Sequence, residues 1–164
     1  MPRARRARGG GGLHGARHAR AAVSVVYRFA EAFNRGDVDA LVACFTAHAT
    51  YVDNFFGPHA GAPALRAMFE RMFREGRDYH WRMDSVVETP ARAAAEWHFR
   101  YVVSDALPRS AGRPVAFRGM SVFDLEGGRI AAYRECFDTG AALLQLGFAP
   151  DSMARVLRRT HGLP

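Results

Sequence analysis

Residues 119–138 read GMSVFDLEGGRIAAYRECFD. Bulky side chains alternate with polar or small ones on either side of Glu126-Gly127-Gly128, and a glycine pair between two alternating runs is a hairpin signal. The stretch therefore predicts two paired strands, over residues 114–125 and 129–137. The period of two extends toward the N-terminus through residues 91–104 and 79–88, with ETPA as a tight link and DALPRSAGR as a longer loop. Four such runs in succession make an antiparallel meander.

The first half of the chain keeps a different period. Val26, Phe29, Ala30 and Phe33 recur at three and four, and NRG closes that helix at Gly36. Asp37 then caps a second helix whose stripe is Val38, Leu41, Val42 and Phe45. ATYVDN reads as a brief strand and GPHAGAP as a turn. Pro63 suits a first helical position, opening a third helix with Leu65, Met68, Phe69, Met72 and Phe73 on its apolar face. Helices segregated ahead of a meander predict an α+β fold.

At 164 residues the chain fits one domain and at most one sizeable pocket. Its formal charge of +7 is concentrated at the start, where Arg3, Arg5, Arg6, Arg8, Arg17 and Arg20 occur with no acid. The remainder is nearly neutral, so nucleic acid is not an expected partner of the body, and the basic tail alone suggests one. Residues 1–22 are too poor in large apolar side chains to offset the entropy of ordering and are expected to be disordered. Residues 23–150 form the expected domain, and 151–164 an amphipathic tail. His14 and His18 stand four apart, but a glycine-flanked tail is a poor metal site. Cys44 and Cys136 make neither a disulfide framework nor a zinc motif. No run approaches the ~18 apolar residues of a membrane span. A cytoplasmic, metal-free protein is the expectation.

VYRFAEAFNRGDVDALVACFTAHATYVD, the G and AL of GAPALRAMF, the hairpin quoted above and LLQLGF together resemble the SnoaL-like branch of the nuclear transport factor 2-like superfamily, over about residues 23–148. The resemblance implies a cone in which a curved antiparallel sheet wraps around three helices and leaves one deep apolar pocket. That cone serves polyketide cyclases, ketosteroid isomerases, limonene-epoxide-hydrolase-like enzymes, dehydratases and non-catalytic binders. The fold does not choose among them.

The site residues must. The resemblance implies that Asp138, at the end of the last strand, is a pocket acid or base. Its place before an apolar helix equally fits an N-cap, and the two readings predict opposite pKa shifts. Alternation puts Tyr51 and Asp53 on one strand face. In the epoxide-hydrolase-like branch a Tyr and an Asn at the matching positions hold the attacking water. Asp53 replaces that amide; if it and Asp138 both point inward the two carboxyls share a proton as acid and base, the alternative being that Asp53 faces the rim and Tyr51 is ordinary core. The Arg-x-Asp of that branch is absent from residues 91–104, where Glu96-x-His98 stands instead. His98 is the candidate partner of Asp138, with an outward, exposed face as its alternative. Phe55, Met68, Met72, Trp81, Trp97, Met120, Phe137 and Phe148 are the expected pocket lining, suited to a flat apolar ligand.

The function expected is a cofactor-independent cyclase or isomerase of secondary metabolism acting on an apolar, carbonyl-bearing, polyketide-like substrate. Epoxide hydrolysis or epoxide-opening cyclisation is the first alternative. A non-catalytic small-molecule-binding or dimerisation domain is the second. A homodimer built through the sheet is expected in either case.

Overall fold

The computed structural model describes residues 24–162. The arginine-rich stretch, with His14 and His18, lies outside the described residues. The first helix, α1 (Val25–Asn34), starts at Ser24, whose hydroxyl accepts the Val26 N–H. The second, α2 (Val38–Ala43), starts at Asp37, whose carboxylate accepts the Ala40 N–H at 2.9 Å. Each cap satisfies a backbone donor that the first helical turn leaves free. Val26, Phe29, Phe33 and Leu41 of the predicted stripes are fully buried.

Phe45 departs from the helical reading. It begins β1 (Phe45–Asp53), where it pairs with Ile130. The stretch read as a turn contains a short edge strand, β2 (Gly57–Ala60), antiparallel to the second half of β1. Helix α3 (Ala62–Glu75) follows with Pro63 in its first turn. The meander is β3 (Gly76–Glu88), β4 (Arg92–Val103), β5 (Pro114–Glu126) and β6 (Arg129–Phe137), and α4 (Thr139–Gln145) and α5 (Pro150–His161) close the chain. The amphipathic tail is thus helical over most of its length.

The six strands form one curved, unclosed sheet in the order β2-β1-β6-β5-β4-β3. Its neighbours are antiparallel except β1 and β6, which run parallel. That exception to the expected antiparallel sheet follows from the crossover: α3 and four strands separate β1 from β6, and parallel strands require a long connection.

The core lies between the concave face of the sheet and α1, α2 and α3. It is dominated by rings. Phe29 and Phe33 meet Trp81 edge to face, with centroids 5.0 and 5.1 Å apart. At the end of α1, Asn34 holds the backbone of Trp81 from both sides, donating to its carbonyl at 2.8 Å and accepting its N–H at 2.6 Å. This clamp fixes α1 against β3 at the rim of the cavity described next.

Candidate active site

Three strands supply the site by simple alternation. On β1, Tyr51 and Asp53 point to the concave face while Thr50 and Val52 point away. On β4 the concave face carries Trp97, Phe99 and Tyr101. On β6 it carries Tyr133, Glu135 and Phe137. With Phe55 and Phe56 after β1, Trp81 on β3 and Met72 and Glu75 on α3, they enclose a cavity of about 70 Å³.

Its polar end is a pair of carboxyl groups. Asp53 and Glu135 are hydrogen-bonded to each other, and burial pushes both carboxyls above their ordinary range. The shift of Asp53 is opposed by the backbone, because its Oδ1 accepts the N–H groups of Phe55 and Phe56 at 2.6 and 2.8 Å. Glu135 is driven further up, by burial first and then by the charge of Asp53. Two carboxyls this close cannot both ionise cheaply, so the pair holds a proton between them, and the two backbone N–H groups on Asp53 favour the charge there.

A buried relay stands behind Glu135. The indole N–H of Trp97 donates to Ser121 Oγ at 2.8 Å, Ser121 donates to the Tyr133 hydroxyl at 2.8 Å, and Tyr133 donates to Glu135 Oε2 at 2.6 Å. Tyr51 stacks on Tyr133, with centroids 4.2 Å apart. Burial, then the charges of Glu135 and Asp53, hold the Tyr51 phenol well above its usual value. Gly119 makes the relay possible. A Cβ there would lie 2.5 Å from the Trp97 ring and 2.6 Å from the Cys136 carbonyl oxygen, so only glycine lets the indole lie against β5. The Trp81 ring meets Trp97 edge to face, with centroids 5.6 Å apart, and among the described residues its buried Nε1 has no hydrogen-bond partner.

The sequence-derived candidates divide accordingly. Tyr51, Asp53, Phe55, Met72, Trp81, Trp97 and Phe137 line the cavity. Asp138 does not. It is exposed and caps α4, accepting the Ala141 N–H at 2.9 Å. The reason is the pleat: Arg134, Cys136 and Asp138 share the outward parity of β6. His98 is exposed on the convex face, in hydrogen-bond contact with Asp84 and beside Arg82 at 3.2 Å. Met120, 54% exposed, is outward for the same reason of parity, and Phe148 is 38% exposed in the link between α4 and α5. Met68 faces inward but is sealed in the helical core, away from the cavity.

Glu135 was not among the candidates. Its signal is the same alternation that places Tyr133 and Phe137 inward, and the resemblance drew attention to the strand's last acid instead. Among the described residues no group of three or more His, Cys, Asp or Glu side chains is placed to hold a metal ion.

A curved sheet closed by helices over an aromatic cavity with acid groups in its wall defines a nuclear transport factor 2-like cone. Residues 26–133 match the SnoaL-like domain, and the chain belongs to that family. Solved structures agree on the fold. A protein from Catenulispora acidiphila with a ketosteroid isomerase-like fold, in complex with trimethylamine, superposes with a TM-score of 0.68 at 20% identity, over 77% of this chain and 95% of that one. A candidate polyketide cyclase from Xanthomonas campestris gives 0.62 at 25% identity, over 74% and 93%. A limonene-epoxide-hydrolase-like enzyme of M. tuberculosis gives 0.62 at 18%, over 82% and 93%. No curated protein matches the chain.

Proposed function

We propose that the chain is a cofactor-independent isomerase or cyclase that moves a proton on a small carbonyl compound, with Asp53 and Glu135 as its acid–base pair. The observation that carries this reading is the hydrogen-bonded carboxyl pair in the wall of an otherwise aromatic cavity. Asp53, ionised at rest, takes the proton next to the substrate carbonyl. The electron pair moves onto the carbonyl oxygen, and the aromatic walls keep water from the enolate formed. Asp53 then returns the proton to another carbon, which is isomerisation. Alternatively the enolate carbon attacks a second carbonyl, and the proton goes to the new alkoxide. Glu135 keeps its own proton and, through its hydrogen bond, holds the basicity of Asp53 in a useful range.

The size of the cavity narrows the substrate. Sites for drug-sized ligands span roughly 300–1,000 Å³. A cavity of about 70 Å³ favours a compact substrate over a polycyclic one.

The test is exchange of α-protons into heavy water, followed by NMR over a panel of small ketones and aldehydes. Asp53→Asn should lower any catalysed exchange by about 10²–10⁴-fold. Asp138→Asn should leave it unchanged. Full activity in Asp53→Asn would sink the proposal.

Two neighbouring carboxyls also favour a second reading, in which Glu135 protonates an epoxide oxygen while Asp53 activates water. Against it, no arginine among the described residues lines the cavity, and the two acids face each other rather than flank a substrate. Labelled oxygen from water appearing in a diol product is the result that would select it.

A further inference from the structure

Among the described residues sixteen side chains line the cavity; eleven are aromatic, and the ionisable carboxyls are Asp53, Glu75 and Glu135, with no basic group beside them. Glu75 is already paired, since Arg71 Nε lies 2.7 Å from its Oε1. Asp53 and Glu135 are not. Among the described residues neither makes an ion pair with an arginine or histidine. Their hydrogen-bond partners are backbone N–H groups, the Tyr133 hydroxyl and each other, and the His59 side chain lowers Asp53 only through space, without a direct contact.

A buried negative charge without a counter-ion is costly, and a neutral apolar ligand makes it costlier by expelling the last water. A cation reverses the sign of that effect. Aromatic faces carry negative potential and attract cations, most strongly where water is excluded. The same attraction already operates at the cavity edge, where the Arg71 guanidinium sits 4.9 Å from the Phe56 centroid. The field of the cavity is felt by its phenols too: the Tyr101 hydroxyl is pushed up to about 12, by burial first and then by Glu75 and Asp53.

We propose that this cavity selects a small organic cation, an alkylated ammonium group carried by the substrate and held against the aromatic walls opposite the Asp53–Glu135 pair. The inference rests on the reading of the cavity as the substrate site and names the class of substrate it takes. An alkylated ammonium has few or no N–H donors, so it neutralises Asp53 through space without occupying the lone pair that would accept a proton. An ammonium near the carbonyl also acidifies the neighbouring C–H bond. With about half the ~150 Å³ of an apolar cavity that admits benzene, the site suits a head group of few heavy atoms.

The chain has two tryptophans, Trp81 and Trp97, and both line the cavity, so intrinsic fluorescence reports on it directly. The full chain is titrated with tetramethylammonium chloride at constant ionic strength, and separately with tert-butanol as a neutral probe of similar shape. Saturable quenching by the cation, at least tenfold tighter than by the alcohol, is expected. The double variant Asp53→Asn/Glu135→Gln should bind the cation at least tenfold more weakly. Phe117→Leu, which removes one aromatic face and no charge, should weaken the cation several-fold and leave the alcohol unchanged. Equal or tighter binding of the alcohol overturns the cation inference and leaves the cavity standing as a ligand site. Undiminished cation binding in both variants overturns the inference as well. Absence of a saturable response to either probe overturns it together with the reading of the cavity as a site.

Discussion

At the scale of single residues, Asp138 and Glu135 show what three positions along a strand decide. Both are carboxyls near the end of β6, but the pleat sends them to opposite faces. Asp138 meets solvent and the free N–H of Ala141, so its role is a cap, and Asp138→Ala should cost about 0.5–2 kcal/mol in chemical denaturation. Ligand binding should be unaffected, because Asp138 does not line the cavity. A stability loss accompanied by lost binding would contradict that separation. Glu135 meets Asp53 and Tyr133 instead. The parity of Tyr133, Glu135 and Phe137 is legible in YRECFD, just as that of Tyr51 and Asp53 is in TYVD. What the sequence does not carry is the pairing across β1 and β6, which sets Tyr51 opposite Tyr133 and so brings the two acids together. That register depends on tertiary contacts between segments some eighty residues apart in sequence, and no local pattern encodes it.

At the scale of elements, segments with a clear period or cap are readable, down to the six residues of α2, and the edge strand β2 is not. β6 matches its predicted bounds because nine alternating residues between a glycine pair and an acid leave little choice. β2 has four residues, one of them proline, and exists only because β1 offers it an edge. On β4 alternation alone does not choose between the Glu96-x-His98 face and the Trp97 face, and packing decides it: Trp97 is 1% exposed, whereas His98 contacts Asp84 at the surface. The contact between β4 and β5 yields a prediction at this scale. Gly119 sits opposite Trp97 in the ladder, and a methyl group there would meet both the indole and the backbone of β6. Gly119→Ala should therefore destabilise the fold by about 1–3 kcal/mol, the usual cost of overpacking. Because the displaced indole is the first donor of the relay to Glu135, tryptophan emission should shift in the folded state as well. An unchanged spectrum with unchanged stability would show that Trp97 is not held by β5.

For the whole molecule, the acid pair sets a cost that the rest of the fold must carry, and pH exposes it. Asp53 and Glu135 have folded pKa values raised above the ordinary carboxylate value of ~4, so between that value and the folded ones the native state holds protons that the unfolded chain has lost. Their contribution to stability is fully present below the unfolded pKa and is lost as pH rises through the folded values. Asp84 and Asp124 act with the opposite sign. The exposed partners Arg82 and His98 lower the first, and Arg134 and Arg92 lower the second, so their contribution is lost as pH falls. The pH curve of the wild type mixes both effects, and a difference curve separates them. Glu135→Gln mimics the protonated acid: its amide still donates to Asp53, and its carbonyl still accepts from Tyr133. The melting temperature of Glu135→Gln should exceed that of the wild type at pH 8, and the gap should close as pH falls below the unfolded value of ~4, where Glu135 is neutral in both states. The surface pairs cancel from this difference because the substitution leaves them untouched. A variant less stable than the wild type at pH 8, or a gap independent of pH, would mean that Glu135 is not held neutral by burial, and the shared-proton account of the cavity would fall with it.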